Sequence, residues 1–297
     1  FPTSARLISK LYEIEGGFTP DGIIALDTKP FIDLLKITGP IELKKYGEEI
    51  NSENFVSLTQ YKTSVDYEKS AGNPKKFLAD FAPIMIDKIF ESEGKDKGEI
   101  YASILKNIKE KHISFFSPND SIQKIYSNLG ISGEIKNSET NDYFFYVNSN
   151  IGGLKTNDKI EESVEHQIEL LDDKTIHKVK ITRDHHGTFD WPSGINYSYM
   201  RFYIPENAKV INVKNLEKKE SIKKEFNSGM IFLEENEGFY TGKATLKDLD
   251  IYIEHNKKVV GAWQVIKPGE KIVTEIEYIL PRADNNFSFI IQKQQGV

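Results

Sequence analysis

A mixed α/β half followed by an antiparallel β-sandwich half is the architecture this sequence predicts, and three observations predict it. Up to about residue 129, apolar residues recur at helical spacing. From Asp142 onward they alternate at the two-residue period of strands. Turn signals such as Asp172-Asp173, Pro205-Glu206-Asn207 and Lys267-Pro268-Gly269-Glu270 then separate seven or more short strands.

In the first half, Thr3-Ser4 can cap a helix with Leu7, Ile8, Leu11 and Tyr12 on one face, closed by Gly16-Gly17. The run Asp21-Gly22-Ile23-Ile24-Ala25-Leu26-Asp27 is continuously apolar between polar ends, as expected of a strand covered on both faces. Pro30 opens a helix with Phe31, Leu34, Leu35 and Ile37 inward. Gly39-Pro40 stops it, and Ile41-Glu42-Leu43 restarts as strand. This strand–helix–strand order suggests an α/β layer. Further helices are expected from Asn51 or Ser52 through Tyr61, from Asn73-Pro74 through Phe90 with a kink at Pro83, over 99–112, and over 120–129 capped by Asp120.

In the second half, strands are expected at 142–148, 160–170, 174–182, 197–204, 208–213, 229–234, 258–266, 271–279 and 286–293. That pattern suggests an immunoglobulin-like sandwich. The Lys- and Glu-rich run 217–225 reads as solvated surface. The boundary falls near 140–172, giving a mixed α/β domain over 1–140 and a β-sandwich domain over 141–297.

The chain has 297 residues, with 39 Lys plus Arg against 45 Asp plus Glu, hence a net charge of −6. A strongly basic nucleic-acid or anionic-membrane binder is excluded as the default. Cysteine is absent, which removes disulfides, thiolate metal sites and a cysteine nucleophile. No apolar run approaches the ~20 residues needed to span a bilayer. The opening Phe1-Pro2-Thr3-Ser4 and the closing Gln292 to Val297 read as the ends of a fragment or processed product, with any anchor outside it.

Several constellations are candidates for chemistry. Asn150, Gly152, Gly153 and Lys155 form a glycine-containing turn after a strand, read first as structural and second as a ligand loop; its spacing is not that of a Walker loop. Arg183-Asp184-His185-His186-Gly187 is placed in a loop. Neighbouring residues of an extended segment point apart, so no metal is assigned there. Trp191 in the same loop packs on the sandwich edge or stacks on a sugar or partner. His166 is read as a buried, hydrogen-bonded, neutral histidine. His112, His177 and His255 lie scattered, with no serine or carboxylate at a telling spacing. Asp21 and Asp27 flank a strand and read as turn chemistry or, alternatively, as magnesium ligands. Lys75 and Lys76 near a helix start read as a solvated pair or an anion contact.

Taken in order, Phe1-Pro2-Thr3-Ser4-Ala5, Asp21 to Asp27, Leu34 to Ile41, Glu53-Asn54-Phe55-Val56, Lys76 to Asp80, Ser149 to Thr156, Tyr199 to Pro205, Lys267 to Glu270 and Ile291 to Gly296 make the chain similar to the bacterial family catalogued as domain of unknown function 4012. The resemblance implies an exported, membrane-anchored surface protein and supplies no reaction. The order helix, Asp-Gly-strand-Asp, helix, Gly-Pro-strand also resembles the LytR-CpsA-Psr glycopolymer transferases, which use magnesium, carboxylates and arginines around a lipid pyrophosphate. Here no arginine lies between Arg6 and Arg183, so that grip is lacking in the corresponding stretch.

The reading is therefore a non-catalytic, extracytoplasmic module of the bacterial cell surface for assembly, adhesion or glycan contact. It needs no cofactor and no metal. Its expected partners are envelope glycans or proteins, with self-association, without nucleic acid, and with membrane anchoring only through segments outside this chain. The alternative is a magnesium-dependent transferase of LytR-CpsA-Psr type.

Overall fold

The computed structural model describes residues 1–66, 73, 75–137, 142–151, 154–217, 243–246, 249–281 and 287–296. Pro74, the Gly152-Gly153 pair, residues 218–225 and the strand expected at 229–234 lie outside them. The chain divides into two compact units, Phe1–Glu134 with Gln295–Val297 and Ile135–Gln294. The architecture is mixed: among the described residues the six α-helices lie in the first unit, and antiparallel pairing dominates the second.

Unit 1 runs α1 (Pro2–Ile14), β1 (Ile23–Leu26), α2 (Lys29–Thr38), β2 (Ile41–Leu43), β3 (Glu48–Ile50), α3 (Phe55–Ser64), α4 (Lys76–Glu91), α5 (Gly94–Lys109), β4 (Ile113–Phe116) and α6 (Asp120–Asn128). Its core gathers Leu34 and Leu35 of α2, Ile41, Leu43 and Ile50 of the β2–β3 hairpin, Phe55, then Phe77, Phe81 and Met85 of α4 and Ile100 of α5. The rings of Phe31, Phe55 and Phe81 pack with centroids 5.3 Å apart along that series. Burying such a set supplies the driving force for a unit whose sheets have only two strands each.

Four expectations need correction here. α1 begins at Pro2, with Phe1 at its cap and no side-chain cap from Thr3 or Ser4. α6 is capped by Asn119, whose side chain accepts from Ser121 N and Ile122 N at 3.0 and 3.2 Å; Asp120 is the first helical residue. β1 is not covered on both faces: it pairs only with β4, and Ile24 and Leu26 are 60% and 47% exposed. The strand–helix–strand run also forms no parallel layer. β1 pairs antiparallel with β4, and β2 pairs antiparallel with β3.

Unit 2 is built of β5 (Asp142–Asn150), β6 (Ile160–Leu170), β7 (Lys174–His185), β8 (Asn196–Pro205), β9 (Lys209–Lys214), β10 (Lys243–Leu246), β11 (Leu249–Glu254), β12 (Lys257–Ile266), β13 (Lys271–Pro281) and β14 (Phe289–Gln292). One sheet has the order β10-β11-β12-β8-β5-β14, the other β6-β7-β13-β9. One pair departs from the antiparallel expectation: β14 runs parallel to β5, with Phe289 opposite Asp142. A parallel pair needs a long crossover, and here nearly the whole unit serves as one.

Side chains of both sheets meet in one apolar cluster: Phe144 and Tyr146 of β5, Val179 and Ile181 of β7, Met200, Phe202 and Ile204 of β8, Val260 of β12, and Ile276, Tyr278 and Leu280 of β13. The two-residue period sets which residues enter. On β7 the inward row reads Thr175, His177, Val179, Ile181, Arg183 and His185, all buried. Its middle is apolar and both its ends are polar. The two polar ends organise the rest of the unit.

Candidate functional site

Arg183 is 2% exposed, and β7 continues through His185, so the segment read as a loop is strand. The reason is pairing. Arg183 donates from Nη1 to Gln264 Oε1 at 2.7 Å and from Nη2 to Asn196 Oδ1 at 2.9 Å, and its Nε lies 3.2 Å from Glu162 Oε2. The same carboxylate oxygen accepts from Asn148 Nδ2 at 2.9 Å and from Tyr146 OH at 3.1 Å. A buried guanidinium is tolerated only in such company. Burial still lowers the Arg183 pKa and pushes that of Tyr146 well up.

This network reaches outward to two loops at the same end of the unit. Asn196 donates from Nδ2 to the buried Thr156 Oγ1 at 2.8 Å, and Ser198 Oγ donates to Asn196 Oδ1 at 2.7 Å. Lys155 N donates to Pro192 O at 3.0 Å, and His186 N donates to Lys159 O at 2.8 Å. The 154–159 and 186–195 segments are thus fastened to each other and to the core. The β12–β13 turn joins them through Gly269 N to His185 O at 2.7 Å and His185 N to Glu270 O at 2.9 Å.

What the loops hold outward is apolar and aromatic. Leu154 is 55% exposed, Phe189 66% and Trp191 42%. Leu154 adopts φ +52, a left-handed backbone uncommon for a branched side chain. Such a conformation persists only where the surroundings impose it. Here its δ carbon packs against Gly194, 3.0 Å from where a Cβ on that residue would sit. Lys155 is exposed beside it.

Of the candidates read from sequence, Asn150, Lys155 and Trp191 come together in this cluster. Asn150 donates from Nδ2 to Asn157 Oδ1 at 2.8 Å and so shapes the turn. Gly152 and Gly153 lie outside the described residues. Asp21, Asp27, Lys75 and Lys76 belong to unit 1. Asp21 and Asp27 stand at opposite ends of β1, on the order of 20 Å apart along an extended chain, so they do not converge on one ion. Asp27 is otherwise engaged: Oδ2 meets His112 Nδ1 at 2.6 Å, and Oδ1 accepts from Lys29 N at 2.8 Å. Lys75 and Lys76 are exposed at the start of α4. His185 gives its ring to Gly194 O at 2.8 Å, whereas its neighbour His186 is 59% exposed. Among the described residues, no three His, Cys, Asp or Glu side chains are grouped to hold a metal ion.

Sequence reasoning missed Leu154, Phe189 and the Arg183–Asn196–Thr156 support. It also missed the carboxylate partners of His112 and His177. The Asp27–His112 pair spans 85 positions and Asn196–Thr156 spans 40, so no spacing rule reaches them. The available signal was the density of exposed-type aromatics around Pro192.

Fold and site together define a two-unit protein with a loop-borne surface cluster on a sheet scaffold. Residues 1–63 match the family model described as Protein of unknown function (DUF4012), the family expected from the sequence. No curated protein and no solved structure matches the chain. No helix among the described residues is long and apolar enough to cross a membrane.

Proposed function

We propose that this chain is a non-catalytic module of the bacterial cell surface, acting outside the cytoplasm, and that it contacts envelope glycan through the loop cluster of unit 2. The observation that carries the reading is the Lys155 N to Pro192 O hydrogen bond, which sets Leu154 and Trp191 on joined loops instead of on independent ones. Exposed ring faces suit the apolar faces of pyranose rings, while nearby Lys155 and Asn157 suit hydroxyl or acidic substituents. The core shared by the two sheets of unit 2 supports reading that unit as an immunoglobulin-like sandwich with its binding loops at one end.

The test is binding of the full chain to purified cell-wall polysaccharide, with and without Phe189→Ala and Trp191→Ala. Native binding that falls at least 10-fold in the double variant is expected. A native chain silent on wall polysaccharide, or a double variant binding as well as native, would overturn the reading.

A second reading, assembly through unit 1, is favoured by a different observation. Leu7, Leu11, Tyr12, Ile14, Phe18 and Ile24 are all at least half exposed within a short stretch of chain. The transferase alternative draws no comparable support, since its carboxylates Asp21 and Asp27 sit at opposite ends of β1.

A further inference from the structure

We propose that the paired imidazoles of His166 and His177 form an acid-operated latch between the two sheets of unit 2. The pair lies at the other polar end of the β7 row, away from the loop cluster. His166 stands on β6, an edge strand, and His177 on β7; Nε2 of the first and Nδ1 of the second are 2.9 Å apart. Every element packed around them contributes. From β7, Thr175 Oγ1 lies 2.8 Å from His177 Nε2. From β5, Asp142 Oδ2 lies 3.2 Å from the same nitrogen. From β13, the Tyr278 ring stacks on His177 at 4.4 Å and 7°. Phe144 of β5 and Phe289 of β14 set their rings on His166 with centroids 4.8 and 5.0 Å away. The titratable groups facing the pair are therefore Asp142 and Tyr278. The latch joins strands of the four-stranded sheet to β5 and β14 of the six-stranded one.

Proton counting gives it two states. A hydrogen bond between two imidazole nitrogens needs one N–H and one lone pair. With His177 Nε2–H given to Thr175 Oγ1, His177 Nδ1 accepts and His166 Nε2–H donates. His166 Nδ1 is then a bare lone pair, and it is buried without a hydrogen-bond partner among the described residues. An added proton on that nitrogen makes a buried N–H with no acceptor. Placing the proton on His177 instead turns the shared bond around and again leaves N–H on His166 Nδ1. Both routes end in the same unsatisfied donor, a costly group away from water. Burial, with the neighbouring His177 adding to it, lowers the His166 pKa to about 4. The added Nδ1–H gains water only if β6 or β14 peels away. Among the described residues these are edge strands, so they can open while β7 and β13 stay paired.

The test is amide hydrogen exchange of the full chain at pH 7 and pH 4.5, corrected for intrinsic rate. It is run on the native protein and on His166→Gln, whose side-chain N–H can reach His177 Nδ1 but takes up no proton. In acid, native β6 and β14 should lose at least 10-fold protection relative to β7 and β12, and the variant should not. Equal acid loss in the variant would overturn the latch. If the variant does not fold, NMR titration of the native imidazoles decides. His166 should titrate well below 6.5, together with loss of β6 and β14 protection; an ordinary titration, or one without that loss, overturns the proposal.

Discussion

On unit 1, Leu11, Ile14, Phe18 and Ile24 stand 51%, 79%, 91% and 60% exposed. On unit 2, the outward face of the β6-β7-β13-β9 sheet carries rows of opposite charge, such as Glu165, Lys180, Glu275 and Lys214 in register across all four strands. Lys214 meets Glu275 at 2.7 Å, and Lys178 meets Glu277 at 3.0 Å. Both surfaces are built by the same rule, one buried stripe per element, yet one outer face is apolar and the other ionic. An ionic face stays in water at little cost, whereas an apolar one of this size marks where association would be favourable. The comparison supports the division of labour proposed above, with the exposed apolar surface on unit 1 and the exposed aromatic loops on unit 2.

The sharpest ways to break this comparison lie in the cores. Phe81→Ala should cost unit 1 about 3–5 kcal/mol, read from the helical circular dichroism signal in urea. Arg183→Ala should cost unit 2 about 2–4 kcal/mol, because the partly buried Glu162 loses its cation and the buried Gln264 and Asn196 lose their donor. Both tryptophans of the chain, Trp191 and Trp263, lie in unit 2, so their fluorescence reports that transition selectively. A near-neutral Arg183→Ala would show that the network does not hold the loops.

Acid provides a smaller effect. The folded pKa of His166 is lowered below its unfolded value of 6.5, so the unfolded chain takes up the proton first. Stability is therefore intact above pH 6.5 and falls as pH drops toward about 4. The loss is about 2 kcal/mol, less than the full shift implies, because water reaches part of the ring. Denaturation midpoints across that window should slope in the native protein and flatten in His166→Gln.

Surface changes rank last. Leu11→Ser with Ile24→Ser should leave the midpoint within about 0.5 kcal/mol while reducing self-association seen by light scattering at high concentration. An unchanged scattering profile would remove the assembly role. Lys178→Ala should leave the midpoint unmoved, since an exposed ion pair contributes little.

Part of this was readable from the chain itself. Pro30, the stripe Phe31, Leu34 and Leu35, and Gly39 define α2 together, because helix start, burial and stop are all local. The alternation in 160–170 likewise marks β6 and its inward His166. α1 carries an equally good stripe in Leu7, Ile8 and Leu11, and it is exposed. Periodicity tells that a helix forms, not that a partner covers it. β4 escaped notice because Ile113 to Phe116 follows a helix without a breaker. β11 was missed although Leu249, Ile251 and Ile253 alternate with Asp250, Tyr252 and Glu254, because six residues with no turn signal before them are a short stretch to read. The site residues were partly visible as separate turns. Their union was not, because the bonds that join Lys155 to Pro192 and Asn196 to Thr156 are long-range.

The acidic outer edge of β6 has a consequence for sheet growth. Glu161, Glu165 and Glu169 are exposed along a strand with one unoccupied side among the described residues. A second copy adding there would set carboxylate against carboxylate, so extension by stacking is discouraged at neutral pH. Changing Glu161, Glu165 and Glu169 to Gln removes that repulsion and should let association through this strand appear in light scattering at high concentration.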